Sequence, residues 1–113
     1  MIKISAKLVH HELKTPVSVF GHRWDDVTCI LATAEMDGVK GQGEGMPIFY
    51  RKDEKVDAFL PQVAAVDGIL EKPQDRRLLA GMMPSNGARN AVDAALWDLE
   101  AKLTGKRVWE LAG

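Results

Sequence analysis

One stretch constrains the fold more than any other: Ser85 to Gly113, SNGARNAVDAALWDLEAKLTGKRVWELAG. Ser85 and Asn86 offer side-chain oxygens to the free N–H groups of a first helical turn, and Gly105 is a natural terminator. The spacing therefore predicts a long helix, a stop and a short second helix. At about 100° per residue, Ala88, Ala91, Val92, Ala95, Leu96, Leu99 and Leu103 fall on one apolar stripe. Ala94, Trp97 and Ala101 make a smaller stripe on nearly the opposite side, beside Asn90, with Arg89, Asp93 and Glu100 as a polar strip between the two. A helix that is apolar on two sides needs two partners.

The first partner is readable upstream. Ile2, Ile4, Ala6 and Leu8 alternate with Lys3, Ser5 and Lys7, the period of a strand with one buried face. Lys14-Thr15-Pro16 interrupts the pattern, and Val17 to Asp26 (VSVFGHRWDD) shows no usable period, so it reads as a loop. Val27 to Met36 and Val39 to Glu44 are strand-like and joined by Asp37-Gly38, a strong hairpin signal. Gly41, Gly43 and Gly45 alternate without the context of a phosphate loop, which points to close approach of another backbone. Met46 to Lys52 is a second irregular segment. Beyond it, Asp53 can cap a helix through Val56, Phe59, Leu60, Val63, Ala64 and Leu70, with a bend or a true start near Pro61 and an end at Lys72-Pro73. Asp75 to Gly81 reads as one more short helix. Three antiparallel strands followed by helices describe an α+β domain, a meander with a helical bundle on it.

Composition excludes several functions. Fifteen basic and sixteen acidic residues leave a net charge of −1, so nothing global draws the chain to nucleic acid or to an anionic membrane. No signal peptide is apparent, and no apolar run approaches the roughly 20 residues needed to span a bilayer. Cys29 is the sole cysteine, which rules out an internal disulfide and fits the cytoplasm. It is expected to pack in the sheet as a small hydrophobe. His10 and His11 are adjacent on a strand and point to opposite faces, so they do not readily share a metal. The carboxylate pairs Asp25-Asp26 and Asp53-Glu54 read as solubilising or capping groups. No nucleophile elbow, His-Glu-x-x-His, Cys-x-x-Cys or phosphate loop is present. What remains are two irregular segments with aromatics and an arginine at their tips, Phe20, Arg23 and Trp24 in the first and the Met46–Lys52 run in the second.

The opening stretch also carries a resemblance. Asn90-Ala91, Asp93, Ala95-Leu96-Trp97-Asp98, Lys102 and Leu111-Ala112-Gly113 resemble the N-terminal signature of the mandelate racemase and muconate lactonizing branch of the enolase superfamily, although Arg107 stands where a small residue or proline is usual. Lys14-Thr15-Pro16, Gly38-Val39-Lys40-Gly41, Gly43-Glu44 and Pro84 with Ala88-Arg89-Asn90-Ala91 extend the likeness over essentially all of residues 1–113, and it is strongest to dipeptide epimerases of the L-Ala-D/L-Glu type.

The resemblance implies a capping domain whose catalytic (β/α) barrel, in the same or a companion chain, is absent here. In the family that barrel supplies two lysines and the carboxylates that bind Mg²⁺, so no catalytic or metal-binding residue is carried over to this sequence. Phe20, Gly21, His22, Arg23 and Trp24 match the first substrate-selecting loop, and Ile48, Phe49, Tyr50 and Arg51 match the second. An ungapped reading puts Trp24 where Ala-Glu epimerases carry a substrate-binding arginine, with Arg23 one position away. A dipeptide with a hydrophobic or cationic residue is thus expected at least as much as an acidic one. A homo-oligomer is expected, and the second stripe is expected to face the barrel. The alternatives are the cap of a muconate cycloisomerase or o-succinylbenzoate synthase-like enzyme, and a non-catalytic, self-associating module.

Overall fold

The computed structural model describes residues 1–48, 51 and 54–113. Three strands, β1 (Lys3–Val19), β2 (His22–Met36) and β3 (Val39–Gly45), form an antiparallel sheet in the order β1-β2-β3. Beyond them come a short 3₁₀ turn (Val56–Ala58), α1 (Phe59–Ala64), a 3₁₀ segment (Pro73–Gly81), α2 (Gly87–Thr104) and α3 (Val108–Ala112). This is the expected α+β meander with helices packed on it, and no barrel occurs among the described residues.

The predicted loop at Val17–Asp26 is instead the end of a long hairpin. Val17 pairs with Trp24, Ser18 with Arg23 and Val19 with His22, and the chain reverses at Phe20-Gly21 with φ of 49° and 77°. The Asp37-Gly38 turn has the same positive-φ form, with φ of 54° and 77°. Pro16 lies within the register break between Glu12 and Val17, where its missing N–H costs no ladder bond. The period was illegible there because nearly all of this segment lies in water, so no alternation between buried and exposed residues is imposed on it. The first connection is therefore a tight turn, not the longer loop expected.

α2 begins at Asn86, whose side chain accepts hydrogen bonds from the N–H groups of Ala88 and Arg89, and stops at Gly105 in the left-handed conformation. Ala88, Ala91, Val92, Ala95, Leu96 and Leu99 are all buried, against Ile4, Ile30, Ala32 and Ala34 of the sheet and Phe59 and Val63 of α1. The three glycines of β3 permit this contact. A Cβ on Gly41 would strike the backbone of Ala95 and Leu99, and one on Gly43 the backbone of Ala91 and Ala95, as their alternation in the sequence suggests.

Pro61 is the third residue of α1, where its missing N–H has no helical acceptor, so the helix starts just before it. α1 does not run on to Leu70. It ends at Ala64, and a turn through Gly68 lays residues 67–70 along the free edge of β1. There Ile2 N–H donates to Leu70 O at 2.8 Å, Gly68 N–H to Ile2 O at 3.1 Å and Ile4 N–H to Asp67 Oδ1 at 2.7 Å. The proposed Asp53 cap lies outside the described residues.

The opposite edge is closed by α2 itself. Gln42 N–H donates to Asp98 Oδ2 at 2.9 Å, and Lys102 Nζ donates to Lys40 O at 2.8 Å. The start of β1 is thus met by the 67–70 backbone and the Asp67 carboxylate, and β3 by the Asp98 and Lys102 side chains, which blunts edge-to-edge pairing at those positions. Burial raises the Asp98 carboxyl, but the Lys102 hydrogen bond, the Gln42 N–H and the Lys102 charge outweigh it and hold the group below the ordinary value of 3.8. A lowered carboxylate contributes stability above its unfolded value and loses it as pH falls through the folded one. Asp98→Asn is therefore expected to cost about 1 kcal/mol at pH 7, and urea titrations should show that difference shrinking below about pH 4.

The polar strip on α2 is not uniformly wet. Glu100 is buried, accepting from Gln74 Nε2 at 2.8 Å and from Arg76 Nη1, both on the 3₁₀ segment. The Arg76 guanidinium also lies 3.4 Å above the Trp97 ring. Trp97 is accordingly half-buried, with part of its second partner supplied by the chain itself.

Candidate functional site

β3 stops at Gly45, opposite Ile30, and β1 and β2 continue alone as a two-stranded ribbon. At about 3.3 Å per residue the eight further residues of β2 carry the tip about 25 Å beyond that point. Paired residues share a face, so Val17, Val19, His22 and Trp24 lie on one side of the ribbon, with Phe20 at the tip. Phe20 is 95% exposed, Val17 and Val19 are also exposed, and the His22 and Trp24 rings meet edge to face at 4.4 Å. Arg23 projects from the other side, where Nη2 is 3.0 Å from Asp25 Oδ1 and Nε donates to the same oxygen. The tip therefore has an apolar, aromatic face and a charge-neutralised face.

The first segment's residues are thus brought together, but sorted onto two faces. Val17 and Val19 belong to the aromatic face and were missed. Their Val-Ser-Val alternation was the available signal, unread because it sat beside Pro16 in what looked like a loop.

The second segment packs against the start of α2. Arg51 Nη1 donates to Ser85 O at 2.9 Å and lies 3.9 Å from Glu54 Oε2, while Glu54 Oε1 accepts from Gly87 N–H at 3.2 Å. A carboxylate at a helix N-terminus is favourably placed against the macrodipole. Ile48 and Arg51 line a concavity of about 410 Å³ together with Cys29, Glu44, Met46 and Asn90. No residue from Phe20 to Trp24 lines that concavity among the described residues. Phe49 and Tyr50, expected at this tip, lie outside the described residues.

Cys29 is buried, as expected of a small hydrophobe, and burial together with the nearby Glu44 carboxylate pushes its thiol up. Among the described residues one group of three metal-ligating side chains occurs, His11, Cys29 and Glu44. Its nitrogen and sulfur donors do not suit Mg²⁺, which takes oxygen ligands in octahedral geometry. Magnesium is therefore not assigned to these residues.

Residues 3–113 match the family described as mandelate racemase / muconate lactonizing enzyme, N-terminal domain. The L-Ala-D/L-Glu epimerase of Escherichia coli (strain K12) is 33% identical over 101 residues, which span 89% of this chain and 31% of that protein. A solved structure of an L-Ala-D/L-Glu epimerase superposes with a TM-score of 0.81 at 30% identity, over 100% of this chain and 33% of its own. An enolase family member from Agrobacterium tumefaciens with homology to dipeptide epimerases, solved with L-Ala-L-Glu bound and an ordered loop, gives a TM-score of 0.83 at 27% identity over 98% of this chain and 34% of its own. The chain spans about a third of the length of these relatives. A signature helix capped at Asn86 and Gly105, the glycines of β3 beneath it and a match across residues 3–113 place the chain in the mandelate racemase / muconate lactonizing enzyme N-terminal domain family of the enolase superfamily.

Proposed function

We propose that this chain is the substrate-selecting cap of a Mg²⁺-dependent dipeptide epimerase or racemase, which moves a proton at an amino-acid α-carbon. It would act in the cytoplasm against a (β/α) barrel of the same or a companion chain. By family resemblance the barrel holds the proton-exchanging lysines and the metal; this chain's residues bind, orient and exclude water. No helix among the described residues is long and apolar enough to cross a membrane.

The observation that carries the reading is the ribbon. Val17, Val19 and Phe20 are held in water well beyond the domain's core. Covering such surface gains about 25 cal/mol per Å², and closure over a barrel mouth would also remove water from the reacting carbon. Trp24 stands on the aromatic face while Arg23 is turned away and matched by Asp25. That arrangement favours a dipeptide with an apolar residue over one with an acidic residue.

The test mixes the 113-residue chain with the barrel portion of the Escherichia coli epimerase and Mg²⁺, and follows deuterium entry at the α-carbon by NMR over a dipeptide panel. Exchange is expected only when both parts are present, and faster with an apolar second residue than with L-Ala-L-Glu. Phe20→Ala should lower kcat/KM about tenfold, or about 1.4 kcal/mol, with the melting temperature unchanged because the side chain is 95% exposed. Failure of a well-folded pair on every dipeptide would end the proposal.

A further inference from the structure

On the sheet face opposite α2, three neighbouring strands bring a histidine, a cysteine and a glutamate to one point. The register pairs Val9 with Cys29 and Leu31 with Glu44. Side chains two residues apart on a strand share a face, so His11 of β1, Cys29 of β2 and Glu44 of β3 project from the same side as diagonal neighbours. Their ligand atoms all lie within 4.8 Å of one another, and His11 Nε2 is 3.3 Å from Glu44 Oε2. With bonds of about 2.0–2.3 Å, the ligand atoms of a tetrahedral ion stand about 3.3–3.8 Å apart. The His–Glu pair already has that spacing, and a side-chain adjustment of about 1 Å brings Sγ to it. His11 and Glu44 are about half exposed, so the point is reachable from solvent, and Cys29 and Glu44 also line the concavity.

We propose that His11, Cys29 and Glu44 form a three-ligand site for a borderline-soft divalent cation of the Zn²⁺ class, with water in the fourth position. Imidazole, thiolate and carboxylate together suit Zn²⁺ and its neighbours and discriminate against Mg²⁺ and Ca²⁺. On binding, the Cys29 thiol releases its proton to solvent and the sulfur takes the cation, so the Glu44 charge that opposes a bare thiolate becomes part of the ligand set. The ion would tie the end of β3 to the root of the β1–β2 ribbon, at the place where the sheet narrows from three strands to two.

Titration of the reduced 113-residue chain with CoCl₂ tests this directly. One equivalent should produce a thiolate-to-cobalt charge-transfer band in the near ultraviolet and visible bands of tetrahedral intensity, both removed by ZnCl₂. Cys29→Ser should abolish the charge-transfer band. His11→Gln and Glu44→Gln should each weaken Zn²⁺ binding about tenfold or more, and because both side chains are about half exposed, they report even where the cysteine variant fails to fold. A wild-type chain without the charge-transfer band overturns the proposal, as does a band of unchanged intensity and affinity in the His11 and Glu44 variants.

Discussion

Gly43→Val is expected to prevent the domain from folding, or to lower its stability by about 3 kcal/mol or more. The first added atom meets the Ala91 carbonyl oxygen, the Ala95 nitrogen and the Ala94 Cβ. Two of those three are helix backbone, which has no rotamer to change, and α2 cannot withdraw because Leu96 and Leu99 anchor it in the core. Against a total stability of about 5–15 kcal/mol, such a loss is decisive. Urea denaturation with Gly81→Ala as the control measures it. Gly81 has open space around its Cβ position and no positive φ, so its substitution should stay within about 0.5 kcal/mol of the parent. A Gly43→Val protein within 1 kcal/mol of the parent would show that α2 does not pack on β3 as described.

Arg76→Ala should cost about 3–5 kcal/mol, since it leaves the buried Glu100 carboxylate without its cation. Arg76 does three things at once: it donates to Glu100 Oε2, donates to Pro73 O and covers the Trp97 ring. Gln74 remains as a donor to Glu100 Oε1 but supplies no charge. A buried pair need not itself be net stabilising, because its desolvation offsets much of its attraction. The double replacement Arg76→Met with Glu100→Leu should therefore recover most of the loss. A red shift of tryptophan emission in Arg76→Ala, returning toward the parent in the double variant, would report the uncovering of Trp97. Equal stabilities for the single variant and the parent would mean that the ion pair is a surface contact.

How much could be read beforehand follows from which forces are local. The caps of α2, the Asp37-Gly38 turn and the buried stripe from Ala88 to Leu99 depend on neighbouring residues, and each was legible. Pro61 marked either a bend or a helix start, because a missing N–H is harmless only in a first turn, and α1 takes the second course. The ribbon from Val17 to Asp26 was hard to read, since a strand with water on both sides shows at most the short Val17-Ser18-Val19 alternation and is held by its partner strand alone. Likewise the buried state of Glu100 depends on Arg76, 24 residues earlier, and nothing around Glu100 announces it.

The candidate sites divide in the same way. The aromatic and arginine content of Phe20–Trp24 marked that segment, but the β1–β2 register decided that Trp24 joins Val17 and Val19 while Arg23 turns away. Ile48 and Arg51 were marked, and only packing placed them over α2's first turn, beside Cys29. His11 was considered with its neighbour His10, which points the other way; Cys29 and Glu44 reach it across two strand pairings. Sequence alone determined the elements whose instructions lie within a few residues: the caps, the turn chemistry and the small residues where backbones touch. The tertiary structure decided which distant side chains meet, because strand register and helix placement set the distances between pairs such as Cys29 with Glu44 and Arg76 with Glu100, and ion pairing and metal coordination act only where those distances are short.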